Sequence, residues 1–182
     1  MNLLLIRHAR AEDRRTFSLT GKSDDLRPLT ADGIRRMTRA ARGLRKLVPT
    51  IHMLVSSPLK RAVETAQIIS DAYGDLPLVE RDELAPGADP EKLIDWLGAQ
   101  GRNQDGAGSD EQPICLVGHE PDLSDLLGIL LADRSQQPEK IKKGSATMVS
   151  FQALPVASGG TLQWHHTAKE LGSSRTRPTR RL

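Results

Sequence analysis

The sequence of 182 residues contains a single cysteine, Cys115, and only 3% aromatic residues. A lone cysteine excludes an internal disulfide framework and is typical of proteins from a reducing compartment. Because aromatic residues are scarce, the core has to be built from Leu, Ile, Val and Ala. No apolar stretch is long enough to span a bilayer, and the N-terminus lacks the basic and hydrophobic segments of an export signal. We therefore expect a cytoplasmic protein with no membrane partner.

Several familiar catalytic patterns are also missing. The sequence has no Gly-x-Ser-x-Gly turn for acyl transfer, no P-loop and no dinucleotide-binding fingerprint. His52, His165 and His166 do not have the spacing to Cys, Asp or Glu that metal ligands show. Cys115 lies in a predicted buried strand and is expected to be an inert thiol. The sequence therefore predicts neither a metal site nor a cofactor.

Length and charge predict one domain followed by a short tail. Residues 1–170 carry the apolar patterns of a folded domain, which we interpret as one unit. Residues 171–182 lack acidic residues and apolar periodicity, so we expect a basic, disordered tail. The arginines of that tail contribute much of the net charge of +3. We expect a solvated segment, and nucleic acid is not an expected partner.

Short apolar runs alternate with helical patterns along the chain. The runs from Leu3 to Ile6 and from Ile114 to Val117 contain no polar residue and predict strands that are buried on both faces. Residues 146–154 and 161–166 predict a closing hairpin. Between the strands, apolar residues recur at three- and four-residue steps, as in amphipathic helices. The pattern predicts an α/β fold.

The first long helix is clearly signalled. Thr30 is a natural N-cap and Pro49 ends the helical pattern. The predicted buried face contains Ile34, Met37, Ala41, Leu44 and Val48. The opposite face contains Arg35, Arg36, Arg39, Arg42, Arg45 and Lys46. This basic stripe could bind polyanions, and a solvated helix face explains it equally well.

A second helix is expected after a short strand at residues 51–55. We interpret Ser57 as its N-cap and Pro58 as its first helical residue. Arg61 then lies in the first turn, where the helix dipole disfavours a positive charge. A bound anion near this helix start would compensate that charge. Residues 13–25 are polar and are expected to form a loop over the site.

The residues that could carry out a reaction lie at three junctions between a strand and a helix. In open α/β sheets, ligands bind where strands end, so Arg7, His8, Arg61 and His119 are expected at one sheet edge. Arginine matches phosphate oxygens in a bidentate manner. Neutral imidazole is a competent nucleophile near neutral pH. The residues predict an anion site that contains a nucleophile.

Three segments resemble the signatures of the histidine phosphatase superfamily. They are residues 5–9 (Leu-Ile-Arg-His-Ala), residues 56–66 (Ser-Ser-Pro-Leu-Lys-Arg-Ala-Val-Glu-Thr-Ala) and residues 117–121 (Val-Gly-His-Glu-Pro). Residues 25–30 and 83–87 are similar to the small phosphohistidine phosphatases of SixA type. The resemblance implies a three-layer α/β/α fold of phosphoglycerate mutase type, with a mostly parallel central sheet of about six strands.

The resemblance also implies a mechanism without metal or cofactor. His8 would attack phosphorus and become a phosphohistidine, while Arg7, Arg61 and a protonated His119 would neutralise the phosphoryl oxygens. Arg27 matches a family position that can face the phosphate. Glu83 is a candidate proton donor for the leaving group, or a loop carboxylate without that role.

The substrate remains open at the level of the sequence. The main hypothesis is a phosphorylated protein that resembles a histidine-transfer domain. A small phosphate ester is the alternative, with a phosphoglycerate-type mutase as a weaker variant of it. A non-catalytic phosphate-binding module is the third interpretation, although binding alone would not require a nucleophile such as His8.

Overall fold

A six-stranded sheet forms the centre of the protein, whose computed structural model describes residues 1–102 and 112–173. The strands are β1 (Asn2–Arg7), β2 (Met53–Ser56), β3 (Leu78–Glu80), β4 (Ile114–Gly118), β5 (Ala146–Phe151) and β6 (Gly160–His166). The helices are α1 (Arg14–Ser18), α2 (Ala31–Leu47), α3 (Lys60–Tyr73), α4 (Pro90–Arg102), α5 (Asp122–Leu130) and α6 (Ala168–Leu171). In the described ranges, no helix combines the length and the hydrophobicity needed to cross a bilayer.

The strand order is β3-β2-β4-β1-β5-β6. The first four strands of this order are parallel to one another, and β5 and β6 pair in antiparallel fashion. The predicted α/β fold with a mostly parallel sheet of about six strands is therefore confirmed. Since β1 and β4 are central neighbours, their last residues meet at the same sheet edge.

The two faces of the sheet are covered by separate apolar cores. Leu4 and Ile6 of β1 pack in the core that α2, α3 and α6 share. Leu3 and Leu5 point to the opposite face, where they pack with α4 and α5. All four side chains are fully buried. Because successive side chains of a strand alternate between the faces, this one apolar strand joins both helix layers. The expected three-layer arrangement is present.

Helix α2 begins where the sequence predicts, but its buried face differs slightly from the predicted one. The Thr30 hydroxyl accepts a hydrogen bond from the Gly33 N–H at 3.0 Å, as an N-cap does. Ile34, predicted to be buried, is 44% exposed. Gly33 takes the inward position because the carbonyl oxygen of Arg10 would lie 2.0 Å from a Cβ at that residue. The close packing of a loop on the helix was not visible in the apolar periodicity.

Two predicted irregular segments contain regular structure. The expected loop of residues 13–25 includes α1, whose Phe17 is buried. At the other end, Leu171 was assigned to the disordered tail, but it is buried at the end of α6. Its backbone packs so closely on α2 that a Cβ at Gly43 would lie 1.7 Å from the Leu171 oxygen. The fold therefore extends past residue 170, and the rest of the predicted tail, residues 174–182, lies outside the described residues.

Candidate active site

The carboxyl ends of β1 and β4 bring two histidines together. Arg7 is opposite Gly118 in the parallel register, and the His8 N–H donates to the Gly118 carbonyl at 3.0 Å. His8 and His119 follow these strands directly, and their ring centroids are 5.1 Å apart. Both residues are buried, with 6% and 3% of their surface exposed. Two imidazoles that are more than a hundred residues apart in the chain thus share one pocket.

The surroundings of His8 define which ring nitrogen is free. Nδ1 lies 2.7 Å from the carbonyl oxygen of Ala9. Since a carbonyl can only accept, we infer that Nδ1 carries the proton and that Nε2 keeps its lone pair. Burial and the neighbouring His119 lower the pKa of His8 to about 3. The imidazole is therefore neutral at physiological pH, in the form that a nucleophile requires.

His119 is neutral as well in the protein without a bound anion. Burial, followed by the positive charge of Arg61, lowers its pKa to about 4. The ring is neutral here because a second positive charge would be buried beside a guanidinium, and the expectation of a protonated His119, which concerned the site with an anion bound, stays a prediction. Nε2 is hydrogen-bonded to the Ser57 hydroxyl at 2.8 Å. Nδ1 is buried and has no hydrogen-bond partner among the described residues.

The two arginines of the predicted set also have hydrogen-bond donors without a partner. Arg7 Nη1 donates to the Ile141 carbonyl at 2.8 Å, and Arg61 Nη1 lies 3.1 Å from the Asp24 carbonyl. The Nε atoms of both arginines are buried and lack a partner within the described ranges. An unpaired buried donor costs about 1–3 kcal/mol. Their charges lower the pKa of His8, so both guanidinium groups act on the histidine pair. An oxyanion is the ligand that such donors suit.

Arg27 belongs to the same cluster through Asp24. Arg27 is buried, and its Nε donates to the Asp24 carboxylate at 2.7 Å. The other oxygen of that carboxylate lies 3.3 Å from Arg61 Nη1. Hydrogen bonding from Arg27, the main cause, lowers the pKa of Asp24 to about 2. Sequence analysis did not identify Asp24, although an acid three residues before an arginine in a short turn could have suggested such a pair.

Ser57 has a different role from the one predicted. Helix α3 begins at Lys60 and Leu59 occupies the capping position, so Ser57 is not the N-cap. Its hydroxyl oxygen accepts from the Leu59 N–H at 3.3 Å and is bonded to the His119 ring. The residue is fully buried. The Ser-Ser-Pro segment at the end of β2 therefore positions His119 as well as starting the helix.

Thr65 ties the two halves of the site together. Its hydroxyl oxygen accepts from the N–H of Ala9, the residue after His8, at 3.0 Å. The same hydroxyl donates to the carbonyl of Arg61 at 2.6 Å. Thr65 is fully buried. This one side chain fixes the end of β1 relative to the first turn of α3, and hence His8 relative to Arg61.

Glu83, which the sequence left as either a proton donor or a loop carboxylate, forms an ion pair with Arg81. It lines a small cavity of about 110 Å³ together with His119 and Asp122, so it does lie near the histidine pair. Arg81 contacts both of its carboxylate oxygens, at 2.6 and 3.1 Å. These contacts lower the pKa of Glu83. A carboxylate of this kind carries no proton at neutral pH, which argues against the donor role.

Glu120 is a second carboxyl group at the site, which sequence analysis treated only as part of the third signature. The Ser124 hydroxyl lies 2.9 and 2.8 Å from its two oxygens. Burial raises the pKa of Glu120, and the charge of Arg7 acts in the opposite direction. The pKa values of the two glutamates are thus shifted in opposite directions, upward for Glu120 by burial and downward for Glu83 by Arg81.

Comparisons with known proteins agree with this geometry. The family model described as the histidine phosphatase superfamily, branch 1, matches residues 3–86. An uncharacterised protein of Picosynechococcus sp. is 28% identical over 172 residues, which cover 94% of this chain and 93% of that protein.

Solved structures share the fold at lower identity. The structure of the protein histidine phosphatase SixA complexed with tungstate matches 94% of this chain and 99% of its own, with 22% identity and a TM-score of 0.76. A mycobacterial glucosyl-3-phosphoglycerate phosphatase complexed with VO3 matches 88% of this chain and 96% of its own, with 18% identity and a TM-score of 0.63. Over residues 3–86 the chain is thus similar to the histidine phosphatase superfamily, and the whole chain shares the fold of these solved phosphatases.

Proposed function

We propose that the protein removes phosphate from phosphohistidine in another protein, through a phosphorylated His8. One observation carries the proposal. The neutral His8 imidazole, with Nδ1 held by the Ala9 carbonyl, lies beside three buried nitrogens that lack partners among the described residues, namely Nε of Arg7, Nε of Arg61 and Nδ1 of His119. A phosphoryl group fits this set because it combines an electrophilic phosphorus with oxygens that accept hydrogen bonds.

The reaction then has two displacement steps. In the first, the lone pair of His8 Nε2 forms a bond to phosphorus while the bond from phosphorus to the substrate nitrogen breaks. The leaving nitrogen keeps that electron pair and takes up a proton. In the second, a water oxygen attacks phosphorus, the electron pair returns to Nε2, and inorganic phosphate leaves with the loss of one water proton.

The surrounding cations stabilise charge during both steps. Arg7, Arg61 and Arg27 contribute positive charge that does not depend on pH. A bound phosphate dianion would also raise the pKa of His119, since it adds a negative charge that favours the protonated ring and offsets the repulsion from the arginines. We propose that His119 becomes a hydrogen-bond donor when the anion binds, which reconciles its low pKa in the free protein with a role toward phosphate.

The choice of a phosphohistidine substrate rests on the leaving group. A phosphoramidate leaves easily once its nitrogen is protonated, whereas an alkyl ester needs a dedicated acid. Glu83, the acid predicted for that task, is ion-paired with Arg81. The fold match to a SixA protein histidine phosphatase is compatible with this choice, and the match to a glucosyl-3-phosphoglycerate phosphatase keeps a small phosphate ester as the second candidate.

A direct comparison of substrates tests the proposal. We expect kcat/KM for a phosphorylated histidine-transfer domain to exceed that for sugar phosphates and 3-phosphoglycerate by about a hundredfold, a usual size for discrimination between substrate classes. Phosphate release is measured in the presence of EDTA, with the unphosphorylated domain as the control. If a sugar phosphate is hydrolysed faster than the phosphorylated domain, the small-ester alternative replaces the proposal.

The two glutamates are distinguished by their effect on different leaving groups. For the second candidate, a small phosphate ester, Glu120 is the carboxyl group available as the acid, so we expect Glu120→Gln to lower the remaining kcat for an alkyl phosphate by about a hundredfold, because general acid catalysis contributes on that order. The same variant should hydrolyse p-nitrophenyl phosphate almost normally, since nitrophenolate leaves without a proton. Glu83→Gln is the matched control and should leave both rates unchanged. A loss confined to Glu83→Gln and to the alkyl ester would restore Glu83 as the donor.

A further inference from the structure

A second, larger concavity lies next to the histidine pocket, with its own set of charges. This cleft has a volume of about 550 Å³ and is bounded by α2, α6 and the segment before β5. Its apolar lining residues include Ala9, Met37 and Ala168. Its basic lining residues are Arg10, Arg35, Arg36, Arg39, Lys142, Lys143 and Lys169. Among the described lining residues, Asp32 is the single acidic one.

The guanidinium groups on one wall are held together by Asp32. Its carboxylate lies 2.6 Å from Arg35, 2.7 Å from Arg36 and 3.7 Å from Arg10. One negative charge therefore gathers three positive charges, and each guanidinium keeps further N–H donors free of that carboxylate. The side chains of these arginines are between 64% and 70% exposed, so a ligand in solution can reach them.

The remaining basic residues of the cleft are not neutralised by any described carboxylate. Arg39, Lys142, Lys143 and Lys169 form no ion pair within residues 1–102 and 112–173. Burial and the charges of Arg7, Arg27, Arg10 and Arg61 lower the pKa of Lys143. Like charges gathered around a concave surface repel one another, and an anion between them removes that repulsion.

Backbone contacts hold the segments that carry these basic residues close to one another. The glycine at position 33 admits the Arg10 carbonyl against α2, which brings the segment after His8 to the cleft wall. The N–H of Gly144 donates to the Arg7 carbonyl at 3.0 Å, which fixes the lysine-bearing segment to the end of β1. The cleft is thus formed by rigidly connected elements, and its volume is that of a small-molecule site.

We propose that this cleft binds a small soluble molecule that carries several phosphate groups, such as a nucleoside polyphosphate. Seven basic lining residues against one acidic residue suit a ligand with several negative charges, and the concave shape with apolar lining residues suits a compact ligand better than a flat polymer or membrane surface. The sequence left open whether the basic face of α2 binds polyanions or is only solvated, and the cleft gives these two roles to different residues of that face. Arg35, Arg36 and Arg39 face the cleft, whereas Arg42 does not line it.

The site is tested by direct binding of inorganic tripolyphosphate, measured by titration calorimetry on the full chain at about 0.15 M ionic strength, where exposed charges beyond about 8 Å are screened. The titration is run without and then with excess orthovanadate, which fills the histidine pocket. We expect tripolyphosphate to bind and the double variant Arg35→Glu with Arg39→Glu to weaken binding about tenfold or more, because two attractions become repulsions. The matched control is Arg42→Glu with Lys46→Glu, which changes the same charge at the same spacing on the same helix and should bind normally.

Each contrary result overturns the proposal. Equal weakening in both double variants would show that the helix attracts anions only through its overall charge. Loss of binding on addition of orthovanadate would place tripolyphosphate in the histidine pocket. No binding to the wild-type protein would also reject the site. Because His8→Ala leaves every lining residue in place, we expect that variant to bind tripolyphosphate normally, whatever the outcome for catalysis.

Discussion

Substitution of His8 by alanine is expected to lower phosphate release by about four orders of magnitude or more, the usual result of removing a covalent nucleophile. The Ala9 carbonyl holds His8 Nδ1 and leaves Nε2 free, and the charges of Arg61 and Arg7 act on this imidazole. The measurement is phosphate release under saturating substrate. A complementary measurement is the trapping of phosphate on His8 by rapid alkaline denaturation of the wild-type protein during turnover.

The pH dependence provides an independent check on the same residue. Because burial lowers the pKa of His8 to about 3, the nucleophile stays unprotonated down to acidic pH. We therefore expect no inflection near pH 6.5 from His8 in kcat/KM, which reports the free enzyme. The unfolded chain binds this proton near pH 6.5, so between about pH 6.5 and 3 the unfolded state holds more protons and stability falls as pH falls. His8→Ala should remove that part of the acid sensitivity.

Other outcomes of these measurements would favour a different nucleophile or a protein without catalytic activity. Turnover retained in His8→Ala would mean that another group attacks phosphorus. A wild-type protein that binds phosphate or vanadate, forms no phosphorylated His8 and hydrolyses no substrate would be the non-catalytic module that the sequence left open. The control is the thermal unfolding of His8→Ala, which has to show that the variant is still folded under the conditions of the activity assay.

Substitution of Arg61 by alanine has the second largest expected effect, a decrease in kcat of about a hundredfold to a thousandfold. The guanidinium is 3% exposed, and its Nε has no partner among the described residues. In the proposed reaction it donates to the phosphoryl oxygens, where charge develops in the transition state. Arg61→Lys keeps the charge and loses the planar pair of donors, so we expect an intermediate rate.

The neighbouring Lys60 offers a matched control for Arg61. Lys60 is exposed, and it forms a 3.9 Å ion pair with Glu64 in the same helix, of a kind worth about 0.3–0.5 kcal/mol. Lys60→Ala should leave kcat and the unfolding temperature close to the wild-type values. If Arg61→Ala lowers only the unfolding temperature and not kcat, then Arg61 is a structural partner of Asp24 and takes no part in the chemistry.

The sequence predicted the framework of the site because its signals are local. An uninterrupted apolar strand followed by a histidine identifies a buried strand and its end, and this occurs at both His8 and His119. Arg61 could be placed in the first turn of α3 from the Pro58 segment, even though the helix begins at Lys60. Such signals depend on neighbouring residues, whose spacing is fixed by the geometry of strand and helix.

The partners of these residues could not be predicted in the same way. Asp24 neutralises Arg61 from 37 positions away, and Ser57 bonds to a histidine 62 positions away. Each contact depends on how the loops pack, which no periodicity encodes. Ile34 illustrates the same point on α2, where the backbone of a distant loop selects Gly33 for the buried position.

Taken by itself, the amino-acid sequence determined the α/β class, the central strands and the set of two arginines and two histidines, since hydrophobic burial and side-chain chemistry are properties of each residue and its neighbours. Only the tertiary structure decided the protonation of the site. Burial makes both histidines neutral, an arginine keeps Glu83 ionised, and burial raises the pKa of Glu120. These shifts depend on desolvation and on charges brought close by folding, so they exist only once distant segments have met.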